Sequence, residues 1–267
     1  MTVAGKERTW TRFPLPVRLG RYAVYLVTVA AVVWSARSVE IIPEFLADAP
    51  AQTVDLFRRM WPFDWQYYPK AVHAALIETL HIATLGTLLA ILMALPVALL
   101  AARNVTRSRA LNLLATLILV SSRSVNSLVW ALIFVVIFGP GAFAGMLAIA
   151  FRSIGFVGKL AAEAIEETPT GALEALSATG ASRSAILLKG YWPHVEPSFW
   201  SIALFRWDIN IRESAVLGLV GGGGIGVALE AAMSNLYWDQ VGLILAVIFA
   251  VVILTEVITN TIRQRII

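Results

Sequence analysis

Residues 72–102 read VHAALIETLHIATLGTLLAILMALPVALLAA, a long run of mostly apolar side chains. Glu78 is its one charged side chain. A helix needs about 20 mostly apolar residues to cross the hydrocarbon core of a membrane, where lipid offers the backbone N–H and C=O groups no hydrogen-bond partner. The stretch exceeds that length, and we therefore expect it to span a membrane as an α-helix.

The composition extends this expectation to the whole chain. Of 267 residues, 58% are hydrophobic and 14% are charged, whereas an average soluble domain is about 25% charged. Too little polar surface remains to cover a water-soluble globule. We predict an all-α polytopic membrane protein with about six transmembrane helices, at Tyr22–Ala36, Val72–Ala102, Leu111–Phe138, Ala142–Leu160, Pro193–Leu217 and Val241–Ile262.

The first of these spans is short, but Arg21 and Arg37 flank it and can reach the two interfaces. A cleaved signal peptide is the alternative, because basic residues precede the apolar run, but no A-x-A cleavage site follows it. An uncleaved anchor fits the sequence better. Because no Ser/Gly/Pro-rich linker divides the apolar stretches, we predict a single transmembrane domain over residues 22–267, preceded by an amino-terminal arm over residues 1–21.

Positive charge predicts the orientation in the membrane. Fourteen Lys and Arg residues, Arg152 among them, fall in the arm, the alternate connections and the tail on one side. On the opposite side the sequence places only Arg58, Arg59 and Lys70. Because Lys and Arg accumulate on the cytoplasmic side of membrane proteins, we predict that both termini lie in the cytoplasm.

The connection between the fourth and fifth spans, residues 161–192, carries signals for short helices outside the membrane. Thr168 can cap a helix whose first residue is a proline, and Gly180 then allows a sharp turn. Ser182 can cap a second short helix, which we expect to end before Pro193. Two short helices joined at a glycine form a compact knob that a partner protein can contact. A solvated connector without a partner is the alternative.

The same segment resembles the EAA loop of ABC-importer permeases, whose pattern is E-A-A-x3-G-x9-I-x-L-P. In that family the loop docks into a groove of the ATP-hydrolysing subunit. The resemblance makes the following positions the coupling residues: Glu174, Ala175, Leu176, Gly180, Arg183 and Pro193. The chain departs from the pattern at its end, where I-x-L-P is replaced by GYWP at residues 190–193.

Further motifs resemble one subgroup, the permeases of phosphonate-type importers, and cover roughly Tyr67 to Ile262. Residues 84–90 read TLGTLLA, residues 129–135 read VWALIFV, and residues 205–212 read FRWDINIR. The third span departs from the subgroup, because Asn126 stands where the resemblance leads us to expect a proline. We expect this departure to remove a kink and to add a polar amide at membrane depth.

The resemblance implies a transport subunit and not an enzyme, located in the cell inner membrane. The implied solute is phosphonate or a related phosphorus oxyanion, such as phosphite, hypophosphite or phosphate. The implied partners are a second copy of the permease or a paralogous permease, two ATP-binding cassette ATPases and an extracytoplasmic solute-binding protein, with no role for nucleic acid. The chain has no Walker motif, so ATP and Mg would be bound by the partner ATPase and no cofactor is expected in the chain itself.

Two alternatives to this function stay open. One is a permease of the same superfamily for another small solute, such as an amino acid. The other is an ion-coupled secondary carrier that needs no ATPase. A membrane-embedded enzyme is disfavoured, because no cluster of catalytic His, Asp or Glu falls at one depth. No metal site is predicted, because cysteine is absent and His73 and His81 lie too far apart along a helix to share an ion.

Charged side chains at membrane depth are costly and are therefore candidates for function. The fifth span holds two arginines and two carboxylates whose charges cancel, and they can pair with one another or line a pathway. In the third span Arg123 has no acidic neighbour, so we predict that it faces a water-filled anion pathway; the alternative is an ion pair with Glu213 or Glu78. The predicted pathway residues are Arg123, Asn126, Ser127, Arg206, Asn210, Arg212 and Glu213.

A glycine-rich run follows the fifth span. Residues 221–226 satisfy G-x-G-x-x-G, but they follow a transmembrane helix and no βαβ unit, so dinucleotide binding is rejected. We predict instead a tight outer turn, or a short re-entrant bend, near the mouth of the pathway. Its predicted residues are Gly218, Gly221, Gly222, Gly223, Gly224 and Gly226.

Overall fold

The computed structural model describes residues 13–39 and 42–266, so most of the predicted amino-terminal arm lies outside the described residues. Every regular element in these two ranges is a helix, and the predicted all-α fold class is confirmed. The chain divides into two compact units, Met1–Asp55 and Leu56–Ile267. Their operation as a single transmembrane domain stays a prediction.

The first unit contains helix α1, Leu15–Ser38. Pro14 precedes it with an extended backbone, and the helix begins seven residues before the predicted span. It is long and apolar enough to cross a membrane. Helix α2, Pro43–Met60, begins in this unit and ends in the second.

The second unit is a bundle whose helices follow one another through short connections. After a π-turn at Tyr68–Val72, its elements in chain order are α3 (His73–Ala101), α4 (Arg109–Ser124), α5 (Ser127–Phe138), α6 (Ala142–Glu166), α7 (Thr170–Ala178), α8 (Arg183–Ile186), a second π-turn (Leu187–Tyr191), α9 (Trp192–Leu217), a 3₁₀ turn (Gly218–Val220), α10 (Ile225–Ser234) and α11 (Trp238–Ile266).

Four helical stretches of the described chain are individually long and apolar enough to span a membrane: α1, residues 68–101, α6 and α11. Two bent pairs raise the number to six if each pair counts as one span. The first pair is α4 with α5, and the second joins residues 183–220 to α10. The predicted number of about six spans agrees with this count.

Small residues let α3 and α6 pack closely along their length. Ala90, Ala94 and Ala98 are fully buried at four-residue spacing on one face of α3. A Cβ added at Gly86 would lie 2.8 Å from Ile149 Cγ2 on α6. Apolar lipid provides little hydrophobic driving force between helices, so close van der Waals packing of small residues is what holds such a pair together.

The third predicted span is not a single straight helix, because α4 and α5 meet at 92°. Asn126 caps α5, and its Oδ1 accepts a hydrogen bond from the backbone N–H of Leu128 at 3.1 Å. The expectation that Asn126 removes a kink is therefore wrong. An asparagine side chain at this position supplies the cap that starts a new helix, and the chain turns sharply without a proline.

The connection predicted at residues 161–192 begins later than expected, because α6 continues to Glu166. Thr168 does not cap α7, since its hydroxyl donates to the carbonyl of Ala164 at 3.4 Å. Pro169 occupies the cap position instead, in an extended conformation. The hydroxyl stays with the preceding helix because a carbonyl of the last turn lies within its reach.

In the second half of this connection, the predicted turn and cap are confirmed and the predicted helix end is wrong. Gly180 makes the sharp turn with a φ of +76°, and Ser182 caps α8 by accepting from the backbone N–H of Ala185 at 3.3 Å. The second short helix does not end before Pro193. It runs through the second π-turn into α9, so Pro193 lies inside a continuous helical stretch, and its missing N–H interrupts the hydrogen-bond ladder just after the π-turn.

Candidate functional site

A polar groove of about 600 Å³ lies beside the break between α4 and α5. Its walls come from α5, α6 and α9, and Leu128, Phe205 and Ile209 supply part of its apolar lining. Its polar lining consists of Asn126, Ser127, Arg152, Arg212 and Glu213. The break brings the first two of these residues against the charged face of α9.

An ion cluster forms one side of the polar groove. Glu213 on α9 bridges two arginines: one carboxylate oxygen pairs with Arg152 of α6 and the other with Arg206 at 3.3 Å. The side chain of Arg206 is 4% exposed and that of Glu213 is 17% exposed. Charges this deeply buried are maintained only when they are paired and hydrogen-bonded.

A directional chain of hydrogen bonds holds Arg206 in place. Its Nε donates to Ser153 Oγ at 2.9 Å, and that hydroxyl donates to Asn210 Oδ1 at 3.2 Å. Asn210 Nδ2 donates to Thr87 Oγ1 at 2.7 Å, and Thr87 donates to the carbonyl of Ala83 at 2.6 Å. The chain ties α9 to α6 and α3, so Asn210 is fully buried behind the groove and not on its surface.

The second ion pair of the cluster joins Arg212 to Asp208, one helical turn apart on α9. Counting Arg152 and Arg206, three arginines face two carboxylates in this cluster, so one positive charge is in excess. The sequence pattern of the fifth span alone had predicted charges that cancel. Arg152 changes this balance.

Arg152 was missed as a site residue, because counting Lys and Arg by sides placed it among the cytoplasmic cations. The structure places Arg152 well inside α6, Ala142–Glu166, and pairs it with Glu213 of α9. Its position inside the predicted span Ala142–Leu160 was the signal that could have found it. A charge within a span requires a partner on another helix.

Arg123 lies near the end of α4 and does not line the polar groove. It borders a separate recess together with Lys159 and Glu163. Within the described ranges it forms no ion pair with Glu213 or Glu78, so the predicted pairing alternative is not observed. Its role in an anion pathway stays a prediction.

The glycine-rich run forms a tight turn between α9 and α10. Gly221 is left-handed with a φ of +86°, and its carbonyl accepts a hydrogen bond from the backbone N–H of Gly141 at 2.8 Å. A Cβ added at Gly145 on α6 would overlap the carbonyl of Gly222. Gly223 and Gly224 lie in the same turn, whereas Gly218 starts the 3₁₀ turn before it and Gly226 lies in the first turn of α10. A Cβ added at Gly218 would lie 2.5 Å from Gly226 Cα, so these two glycines allow the segments on either side of the turn to meet.

The predicted coupling residues lie on α7, on the turn after it and on the helix that continues into α9. Glu174, Ala175 and Leu176 are on α7, and the second π-turn packs against the same helix. A Cβ added at Gly190 of that π-turn would lie 2.8 Å from Leu173 Cδ2. The absence of a side chain at Gly190 therefore allows α7 to approach the start of α9.

Apolar helices long enough to span a membrane, beside a groove lined by charged side chains, are typical of membrane transport proteins, because ionisable groups within spanning helices are candidates for solute pathways. The chain belongs to the family described as binding-protein-dependent transport system inner membrane component, which matches residues 86–266. The predicted family of ABC-importer permeases is confirmed. The chain is thus a transport subunit of the membrane and not an enzyme.

Several relatives are similar over much of the chain. The putative phosphite transport system permease protein HtxC of Stutzerimonas stutzeri is 38% identical over 214 residues, which cover 78% of this chain and 76% of that protein. The phosphite transport system permease protein PtxC of the same organism is 39% identical over 190 residues, or 71% and 69%. The phosphate-import permease protein PhnE of Mycolicibacterium smegmatis is 38% identical over 234 residues, which cover 88% of this chain but 44% of that protein.

Solved structures share the fold at lower identity. An inward-facing MetNI methionine ABC transporter aligns with a TM-score of 0.62 at 21% identity, covering 73% of this chain and 96% of that one. A bacterial ABC transporter involved in the import of the acidic polysaccharide alginate aligns with a TM-score of 0.59 at 14% identity, covering 94% and 98%. Both are similar to this chain in the arrangement of their helices.

Proposed function

We propose that the chain is the permease of an ATP-driven importer that moves a phosphorus oxyanion, such as phosphite, phosphonate or phosphate, across the cytoplasmic membrane. The observation that carries this proposal is the excess positive charge of the ion cluster in the polar groove. An unmatched charge at membrane depth is costly, and a bound anion would neutralise it. The names of the phosphite and phosphate permeases that resemble this chain support the same solute class.

The donors of the polar groove suit an oxyanion. Arg152 and Arg212 line it, and their side chains are 29% and 44% exposed. A guanidinium presents two parallel N–H groups that match the spacing of two oxygens on a tetrahedral phosphorus. Asn126 adds an amide nitrogen without a hydrogen-bond partner in the described part of the chain, since its Oδ1 is the atom that caps α5. Arg206 and Asn210 are buried beneath the groove surface, and Arg206 pairs with the same carboxylate as Arg152.

The transport system would need partners that this chain does not supply. In our proposal two permease copies pair, two ATPases bind ATP and Mg below them, and an extracytoplasmic protein delivers the oxyanion. The knob formed by α7 and α8 would contact the ATPase, with Glu174 and Arg183 on its surface. Both termini would lie in the cytoplasm, on the same side as the knob.

The direct experiment is ligand-stimulated ATP hydrolysis by the assembled complex in lipid vesicles. The full-length permease, its ATPase and its binding protein are purified together, and phosphite, phosphate, methylphosphonate and methionine are compared. We expect a phosphorus oxyanion to stimulate hydrolysis and to accumulate in the vesicles. Stimulation by methionine alone would refute the proposed solute class, and uptake that persists with an inactivated ATPase would refute the importer.

A single-residue variant tests the groove within that complex. Arg152→Gln removes the excess charge and one guanidinium, so uptake of the stimulating oxyanion should fall while the complex still assembles. Arg123→Gln, in the separate recess, tests the other location, because the sequence predicts that Arg123 faces the anion pathway. Normal uptake in Arg152→Gln with loss in Arg123→Gln would move the pathway to the recess beside Lys159.

A further inference from the structure

Glu213 bridges two arginines that differ sharply in their surroundings. The side chain of Arg206 is 4% exposed, whereas that of Arg152 is 29% exposed and lines the polar groove. Both guanidiniums contact the same carboxylate, one through each oxygen. The two ion pairs of Glu213 therefore differ. The Arg206–Glu213 pair, called the Arg206 arm below, is enclosed by protein, and the Arg152–Glu213 pair, called the Arg152 arm, faces open space in the polar groove.

The Arg206 arm is fixed. Its guanidinium donates to Ser153 and lies over the ring of Phe156, with 5.5 Å between Cζ and the ring centroid. Moving Arg206 away from Glu213 would break the hydrogen-bond chain that continues through Asn210. Arg206 is the more deeply buried cation, and separating it from the carboxylate would leave an uncompensated buried charge, so this arm should stay closed.

The Arg152 arm is free to exchange. Its side chain is bound to Glu213, and within the described ranges it has no further hydrogen bond. An oxyanion in the polar groove would offer Arg152 the same kind of acceptor as the carboxylate does. Replacing one charged acceptor by another leaves no donor of Arg152 unpaired, so the exchange avoids the cost of an orphaned buried charge.

We propose that Glu213 is a tethered counter-ion that occupies Arg152 when the permease is empty and is displaced from it by the transported oxyanion. The inference rests on the proposed function and assigns the binding contact to the exposed arm of the bridge. Glu213 keeps its pair with Arg206 throughout. A singly charged oxyanion at Arg152 balances the one excess positive charge of the cluster.

The exchange has a consequence for release. A transport site must bind its solute strongly enough to admit it and weakly enough to let it leave. Glu213 competes with the oxyanion for Arg152, so it weakens binding at the permease and recaptures the arginine when the oxyanion moves on. Removing the carboxylate should therefore tighten binding and slow release.

The test compares variants of the full-length permease in detergent, with inorganic phosphite as the probe. Thermal unfolding is measured against phosphite concentration, which gives the half-saturating concentration for stabilisation. We expect Glu213→Gln to lower that concentration about tenfold, the equivalent of about 1.4 kcal/mol. The matched control is Glu163→Gln, which removes an ion-paired carboxylate of α6 that lies outside the polar groove. Glu163 pairs with Lys159 at 2.8 Å.

Two further variants keep the proposal falsifiable. The double variant Glu213→Gln/Arg152→Gln should lack the gain in phosphite affinity that Glu213→Gln shows alone. If Glu213→Gln does not fold, Arg152→Gln alone carries the test, because Arg206 and Glu213 keep their pair in that variant. Stabilisation by phosphite that survives in Arg152→Gln would overturn the proposal.

The remaining outcomes distinguish a failure of the exchange at Arg152 from a failure of the proposed function. An unchanged half-saturating concentration in Glu213→Gln, or an equal gain in Glu163→Gln, overturns the exchange, even where the wild-type complex imports phosphite. Conversely, a wild-type complex that responds to methionine and to no phosphorus oxyanion overturns the proposed solute. A gain confined to Glu213→Gln, lost with Arg152→Gln, supports the exchange.

Discussion

Replacing Arg206 by methionine should destabilise the protein more than any exposed ion-pair substitution. The variant leaves Glu213 with Arg152 as its remaining cation and removes the donor to Ser153 Oγ. Methionine keeps much of the side-chain length, so the loss is mainly of charge and hydrogen bonds. Both partners of the broken pair are well buried, at 4% and 17% exposure.

The magnitude follows from that burial. Glu213 keeps Arg152 as a partner, so the loss is that of the charged hydrogen bonds from Arg206 to Glu213 and to Ser153, about 1.5–3 kcal/mol each. Each kcal/mol shifts the unfolding midpoint by about 2–4 °C in domains of 150–250 residues, so Arg206→Met should unfold about 6–24 °C below the wild-type protein. The assay is thermal unfolding of the detergent-solubilised full-length chain, followed by intrinsic tryptophan fluorescence.

The control is Lys159→Met, which breaks the pair with Glu163 on the surface of α6. Both of those side chains are 44% exposed, and exposed pairs contribute about 0–1 kcal/mol. Its midpoint should therefore fall by no more than about 4 °C. An equal shift in Lys159→Met and Arg206→Met would refute the reasoning, because burial would then make no difference to the value of the pair.

Three further predictions concern backbone contacts and a cap. Gly145→Ala places a Cβ against the carbonyl of Gly222 and should lower the free energy of unfolding by about 1–3 kcal/mol in a denaturant titration. Asn126→Ala removes the cap of α5 and should cost about 0.5–2 kcal/mol in the same measurement. Gly190→Leu drives a side chain into Leu173 and displaces α7, so the complex should still hydrolyse ATP but no longer respond to its ligand.

Each of these predictions has a matched variant. Gly20→Ala adds the same methyl group to α1, where no heavy atom lies within 4 Å, and should not destabilise the protein. Asn126→Ser can still cap α5 and should stay close to wild type. Gly190→Ala should fall between wild type and Gly190→Leu in ligand stimulation. Full ligand stimulation of ATP hydrolysis in Gly190→Leu would show that the response to ligand does not require the close approach of α7 to Gly190.

Hydropathy predicted most of the helices, because every segment that spans lipid must be an apolar helix whose backbone N–H and C=O groups bond to one another. The predicted span Val241–Ile262 lies within α11, and the predicted span Val72–Ala102 passes the end of α3 by one residue. The local signals at Gly180 and Ser182 also predicted the structure correctly, since a left-handed turn and a side-chain cap depend on neighbouring residues alone.

The break at Asn126 and the partner of Arg152 could not be found in the same way. A run from Leu111 to Phe138 is apolar enough to span whether it is straight or bent, so hydropathy does not register the change of direction. The pairing of Arg152 with Glu213 joins residues far apart in the chain, and it requires the packing of α6 against α9. Charge counts by sides ignore such tertiary contacts.

The continuity of α8, the second π-turn and α9 bears on how force travels through the protein. Helix α9 has 26 residues and is about 39 Å long at 1.5 Å per residue. It follows the second π-turn, which joins it to α8, and it carries Arg206 and Glu213 before it ends at the glycine turn. A displacement of α8 would pass along this continuous helix to the charged side chains in the groove, less the part taken up by bending at the π-turn and at Pro197.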